Sequence, residues 1–204
     1  MLLMTHIAAP AFHDTPVVRV VEDGYRMRLL TFALGFIAAA AVLTTAGAGN
    51  LVLPAVLALN ACVWPGLARA FALRSPDPQV VETRNLLIDS AMGGAWIALM
   101  QFNLLPCAVL TLVLTCNKVL VGGWSLVARG IVVQAAACVL MLALHGLTFA
   151  PQTSTTEILA SLPLLFAYAL VVSQRVNRLS GQTETPPAAL PDDYSGSDTR
   201  IPLA

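Results

Sequence analysis

Asp89 lies in the run Leu86–Phe102, where nearly every neighbour is apolar. A carboxylate at the centre of a membrane-crossing helix costs roughly 2.5–3.5 kcal/mol on insertion scales, and less toward an interface, so such a group needs a partner or a task. Two kinds of chemistry fit: a structural ion pair at the membrane edge, or a position that holds a ligand or senses a proton. Counting outward from Asp89 to the turn near Leu104, then back along the next run, reaches the same depth at Asn117 and Lys118. These are the partners expected across the hairpin, with Arg84 assisting from the same edge.

Asn60, Gln101, Asn103 and Gln134 also interrupt apolar runs and are expected to hydrogen-bond between helices. His145 is the one histidine in a span. A membrane haem held by two histidines would need a second at matching depth, and His6 and His13 precede the first span, so no cofactor is expected. Cys62, Cys107, Cys116 and Cys138 sit in apolar runs without the paired short spacings that bind zinc or exchange thiols, and read as small core residues. A phosphate-cradling glycine loop ending in lysine, a nucleophile elbow and a metal-binding helix pair of histidines are all missing, so neither an enzyme nor a metal site is expected.

The elements that must position these groups follow from composition. Of 204 residues, 57% are hydrophobic and 11% charged, and the mean hydropathy is +0.78, far from the balance of a soluble domain. The lipid bilayer is thus the first partner. A formal net charge of zero gives no reason to expect nucleic acid. Residues 1–16 lack the basic start and unbroken apolar core of a cleaved signal peptide.

Apolar runs over about residues 29–46, 51–67, 86–102, 107–121, 126–147 and 157–172 predict an all-α polytopic protein with about six transmembrane helices. Turn chemistry separates them: Gly47–Asn50, the long polar connection Arg74–Asn85 containing Ser75-Pro76-Asp77-Pro78, Asn103–Pro106, Gly122-Gly123-Trp124, and 148–156. Trp64 suits the headgroup level, and Pro65 is expected to kink or end its helix. All eleven Lys and Arg residues fall on one side of this arrangement, which makes both termini cytoplasmic under the positive-inside rule. Arg26 and Arg28 are then expected to flank the membrane and touch anionic headgroups. The domain organisation expected is a cytoplasmic segment 1–25, a membrane domain 26–178, and a disordered cytoplasmic tail 179–204 rich in Pro, Asp, Ser and Thr. Gly35, Ala39, Ser90 and Gly94 permit close helix approach and would also allow a homodimer.

Three stretches carry a family likeness: Cys62–Ala68 with Trp64-Pro65, Arg84–Trp96 with Asn85, Asp89 and Trp96, and Phe102–Pro106 with Asn103 and Pro106. With Asn117 and Gly122-Gly123 in order behind them, they resemble the membrane-associated sensor domain of the second type, a MASE family, over about residues 26–178. The resemblance implies the N-terminal membrane region of a bacterial diguanylate cyclase or class III adenylate cyclase, in the inner membrane. Lys118 is not carried over from the family. No cyclase segment or Gly-Gly-Asp/Glu-Glu-Phe signature follows, and Gly181, Pro186, Pro187 and Pro191 interrupt a helix after Arg178. The expectation is therefore a sensory or anchoring module acting through a separate cyclase or other signalling protein. The alternatives are a residual or split fragment of a cyclase, and a small transporter.

Overall fold

The structure is a computed structural model, and it describes residues 16–45, 52–146 and 149–183. The described residues form five α-helices: α1 (Pro16–Thr45), α2 (Val52–Arg74), α3 (Pro78–Leu99), α4 (Leu104–His145) and α5 (Thr155–Thr183). The expected turn at Gly47–Asn50, the histidines His6 and His13, and the tail beyond residue 183 lie outside the described residues. Four helices, α1, α2, α4 and α5, are long and apolar enough to cross a membrane by length and composition. The chain divides into a unit ending at Tyr168 and a second unit beginning at Ala169, whose described part is the remainder of α5.

Several boundaries differ from expectation. Helix α1 extends well before the first apolar run, to Pro16, because Val21 and Arg28 fall on the face that α1 buries. Helix α2 continues through Pro65 to Arg74. Proline withdraws one backbone donor, yet a helix whose neighbours pack on both sides tolerates it. The polar connection after Arg74 shrinks to three residues, since Pro78 opens α3 at its first position and the Asp77 carboxylate caps it, accepting the Val80 N–H at 3.2 Å. Ser180–Thr183, read as the start of a disordered tail, are helical, and Gly181 does not interrupt α5.

Helix α4 has 42 residues, about 63 Å if straight, roughly twice a hydrocarbon core. It is not straight. Gly123 has φ 61° and ψ −161°, a conformation open to glycine and to little else. Past this break the chain returns beside itself: Gln134 Nε2 donates to Thr111 Oγ1 at 3.1 Å, and Gly130 faces the Lys118 side chain. The segments 104–122 and 124–145 therefore form an antiparallel pair within α4. The Gly122-Gly123 break thus stands where the turn residues place it.

Helix α1 packs chiefly on α2, and α3 on α4. One buried cluster joins them, with Ala39, Val42 and Leu43 from α1, Leu57 from α2, Trp96 and Met100 from α3 and its cap, and Cys107 from α4. A close approach of α3 to the returning half of α4 depends on Gly94, where any Cβ would run into the backbone carbonyl of Gln134. Large apolar side chains such as Leu59, Val132, Val139 and Leu144 point outward, as a lipid solvent allows. Cys62 is exposed as well, a correction to its expected core position, whereas Cys107 is buried.

Candidate functional site

The spacing of buried residues brings four polar side chains together. On α1, Val21, Arg28 and Val42 are separated by multiples of seven residues and share one face. On α3, Glu82, Asp89 and Trp96 repeat the same interval. Trp64 lies on the buried stripe of α2 between Ala61 and Ala68. Arg28, Trp64, Glu82 and Asp89 consequently meet at one three-helix junction, with relative exposures of 4%, 9%, 5% and 4%.

Arg28 Nε donates to Asp89 Oδ2 at 3.0 Å and Oδ1 at 3.3 Å, while its Nη2 donates to Glu82 Oε2 at 3.0 Å. Trp64 Nε1 donates to Asp89 Oδ1 at 2.6 Å. Glu82 fits because Gly24 faces it; a Cβ there would already stand 3.4 Å from Glu82 Oε2. Two oxygens of Asp89 thus accept three N–H approaches, and Glu82 accepts one. Glu82 Oε1 and Arg28 Nη1 have no hydrogen-bond partner among the described residues. Chemically, the junction contains one guanidinium divided between two carboxylates. At its margin, Arg69 Nε donates to Glu22 Oε1 at 2.8 Å and its guanidinium lies 5.4 Å from the Tyr25 ring centroid.

Asp89 does not bond to Asn117 or Lys118, as depth counting had suggested, and Arg84 is exposed rather than assisting. The counting compared α3 with α4 alone and left out α1, which supplies the cation. Lys118 is 2% exposed and donates to the Leu114 carbonyl at 2.7 Å, with its stem against Gly130. Asn117 Oδ1 instead accepts the Tyr168 hydroxyl at 2.7 Å.

The remaining expected residues scatter through the scaffold. Asn85 is buried and donates through Nδ2 to the Ala68 carbonyl at 3.1 Å, joining α3 to α2. Trp64 is a buried bond donor rather than a headgroup anchor. Pro65 and Pro106 are fully buried, and Trp96 belongs to the apolar cluster. Asn103 builds a second polar junction at the opposite end of the helices. Its Nδ2 donates to Glu157 Oε2 and the Gln152 carbonyl, both at 2.9 Å, and its Oδ1 accepts from Thr153 Oγ1 at 2.8 Å. Glu157 also accepts the Ser154 N–H at 2.6 Å and the Thr45 hydroxyl. These groups border a cavity of about 400 Å³.

Arg28 is buried in an ion pair, a correction to its expected place at the headgroups, and Glu82 and Glu157 were not singled out from sequence. The seven-residue interval would have found Arg28 and Glu82, since each sits on its helix's apolar stripe. Nothing local marks Glu157. Among the described residues, no group of three or more His, Cys, Asp or Glu side chains gathers as a metal site.

All four residues of the junction fall between residues 24 and 112. That segment matches the MASE2 domain. The MASE2 match includes α1 from Gly24 onward, all of α2 and α3, and α4 only as far as Leu112, and it stops short of Asn117, Lys118 and Gly122-Gly123, where the likeness is expected to continue. Over 111 residues the chain is 33% identical to the probable diguanylate cyclase DgcC of Escherichia coli strain K12, covering 54% of this chain and 30% of that protein. The same figures hold for the protein of that name in E. coli O6:H1 strain CFT073. The chain thus spans less than a third of the length of these relatives in alignment. No solved structure gives a significant match.

Proposed function

We propose that the chain is a sensory and anchoring module of the bacterial cytoplasmic membrane that acts in signal transduction through a partner, of which a diguanylate cyclase is the leading class. The observation that carries this is the coincidence of the buried Arg28–Asp89–Trp64–Glu82 junction with the MASE2 segment. A packing change that re-divides Arg28 between Glu82 and Asp89 would move α1 relative to α3, giving two arrangements that a signal and a partner can both bias. Six crossings with both ends cytoplasmic fit the antiparallel pair inside α4 and the one-sided placement of Lys and Arg.

The topology is tested with single cysteines at Ser75, Trp124 and Gln152 in a chain freed of Cys62, Cys107, Cys116 and Cys138. A membrane-impermeant thiol reagent applied to intact spheroplasts should label position 152 and spare 75 and 124. Labelling at 124 but not at 152 would reverse the assigned orientation of α4. The signalling role is tested by expressing the wild type and Asp89→Asn beside a diguanylate cyclase and measuring cyclic di-GMP. A well-folded Asp89→Asn protein that leaves the nucleotide level and the crosslinking to the cyclase unchanged would remove Asp89 from the mechanism. Absence of any crosslink from the wild type to a signalling protein in native membranes would remove the mechanism itself.

A further inference from the structure

A cavity of about 40 Å³ opens next to Asp89, between the charged junction and the apolar cluster. Most of its lining is hydrocarbon or aromatic, including Phe32, Leu57, Met92 and Trp96, but three polar side chains from three helices edge it: Thr31 of α1, Asn60 of α2 and Asp89 of α3. Two of them hold atoms with no hydrogen-bond partner among the described residues, Thr31 Oγ1 and Asn60 Oδ1. Thr31 is 4% exposed. A helical threonine ordinarily returns its hydroxyl to a carbonyl three or four residues earlier, as Thr44 and Thr45 do here, and Thr31 does not. Asn60 directs Nδ2 to the Met92 sulfur at 3.1 Å, a weak acceptor, while its Oδ1 is buried with no partner among the described residues. Asp89 accepts three N–H approaches, and a carboxylate has about four lone-pair sites.

The geometry points to a water-binding site at this α1–α2–α3 junction, in which one water molecule accepts from the Thr31 hydroxyl and donates to Asn60 Oδ1 and the Asp89 carboxylate. The size agrees: a water's share of liquid volume is about 30 Å³, and buried waters make about 2–4 hydrogen bonds. A lipid methylene in the same space would leave the Thr31 and Asn60 oxygens without partners, so the polar end favours water over an acyl chain. The apolar remainder confines that water to the Asp89 end. Through it, Thr31 and Asn60 join the Arg28–Asp89–Trp64 network, and the junction is hydrated inside the membrane span. This inference rests on the packing alone and stands or falls independently of any signalling role.

The test is X-ray radiolytic footprinting of the full chain in lipid nanodiscs, in which radicals formed at bound waters oxidise adjacent side chains. Met92, which borders the cavity, is the reporter. Oxidation of Met92 in the wild type, falling severalfold in Thr31→Val and in Asn60→Leu and restored in Thr31→Ser, is the expected result. Circular dichroism on each variant separates loss of the water from loss of the fold. Failure to oxidise Met92 in the wild type overturns the site, as does oxidation at the same rate in well-folded Thr31→Val and Asn60→Leu. Should both substitutions unfold the protein, oxygen-18 incorporation at Met92 of the wild type after transfer into labelled water still decides, and its absence counts against the site.

Discussion

Replacing Arg28 by methionine should be among the most damaging single changes outside the helix contacts, and a second substitution should partly repair it. The side chain is 4% exposed and makes three of the four hydrogen bonds that bind the junction's two carboxylates. Without it, Asp89 keeps only the Trp64 indole, and Glu82 keeps none of its observed bonds. Removing one partner of a buried pair costs about 3–5 kcal/mol, because the other charge stays behind. Asp89→Asn alone replaces the ion pair with a weaker hydrogen bond from the still charged Arg28, which keeps Glu82, a loss of about 1–3 kcal/mol. In the double variant the carboxylate that most needed Arg28 is gone, so the two losses should not add; a coupling of about 2 kcal/mol is expected, within the range for contacting groups. The assay is reversible SDS titration in mixed micelles followed by circular dichroism. Additivity within about 0.5 kcal/mol would mean that Arg28 and Asp89 do not meet. An Arg28→Met protein as stable as the wild type would refute the buried pairing altogether.

Glycine positions give a sharper packing test: Gly94→Ala puts a methyl against the Gln134 carbonyl and should cost about 1–3 kcal/mol or abolish folding. Gly66→Ala meets nothing within 4 Å and should gain up to about 1 kcal/mol in the same titration. At the other end of the helices, Glu157→Ala strands the Thr45, Asn103 and Ser154 donors. Because they border a cavity of about 400 Å³ that admits water, the cost should stay at about 1–2 kcal/mol, below that of Arg28→Met; the reverse order would show that the Glu157 junction is the drier of the two.

The sequence shows the helices more clearly than their partners. Apolar runs and turn residues locate the Gly122-Gly123 break because lipid forces backbone bonds to close within each helix, leaving few places for a turn. Asp89 is conspicuous for the same reason. Its partner was missed because Arg28 reads equally well as a juxtamembrane cation, and only the seven-residue interval to Val21 and from there to Val42 shows that it faces inward. Trp64 was misplaced by the same ambiguity, since an indole serves an interface or a buried acceptor. Glu157 was invisible: its burial depends on Asn103 and Thr45, which are 54 and 112 residues away in the chain.

In lipid, the hydrophobic effect does not hold one apolar helix against another, so buried polar bonds and close backbone contacts must carry the association. Here they do so at two levels. Arg28 and Thr45 lie 17 residues apart on α1, about 25 Å along its axis, and each enters one of the two junctions. Between them sits the apolar cluster of Val42, Leu57 and Trp96. The helices are therefore fastened at both ends of a packed middle. The junction near Asp89 is charged and closed apart from its small cavity, so moving Arg28 there must exchange one ion pair for another. The junction near Glu157 can exchange protein donors for water at small cost. A change of packing that keeps the chain folded therefore costs less at the Glu157 end, where bonds are replaceable, than at the Arg28–Asp89 pair.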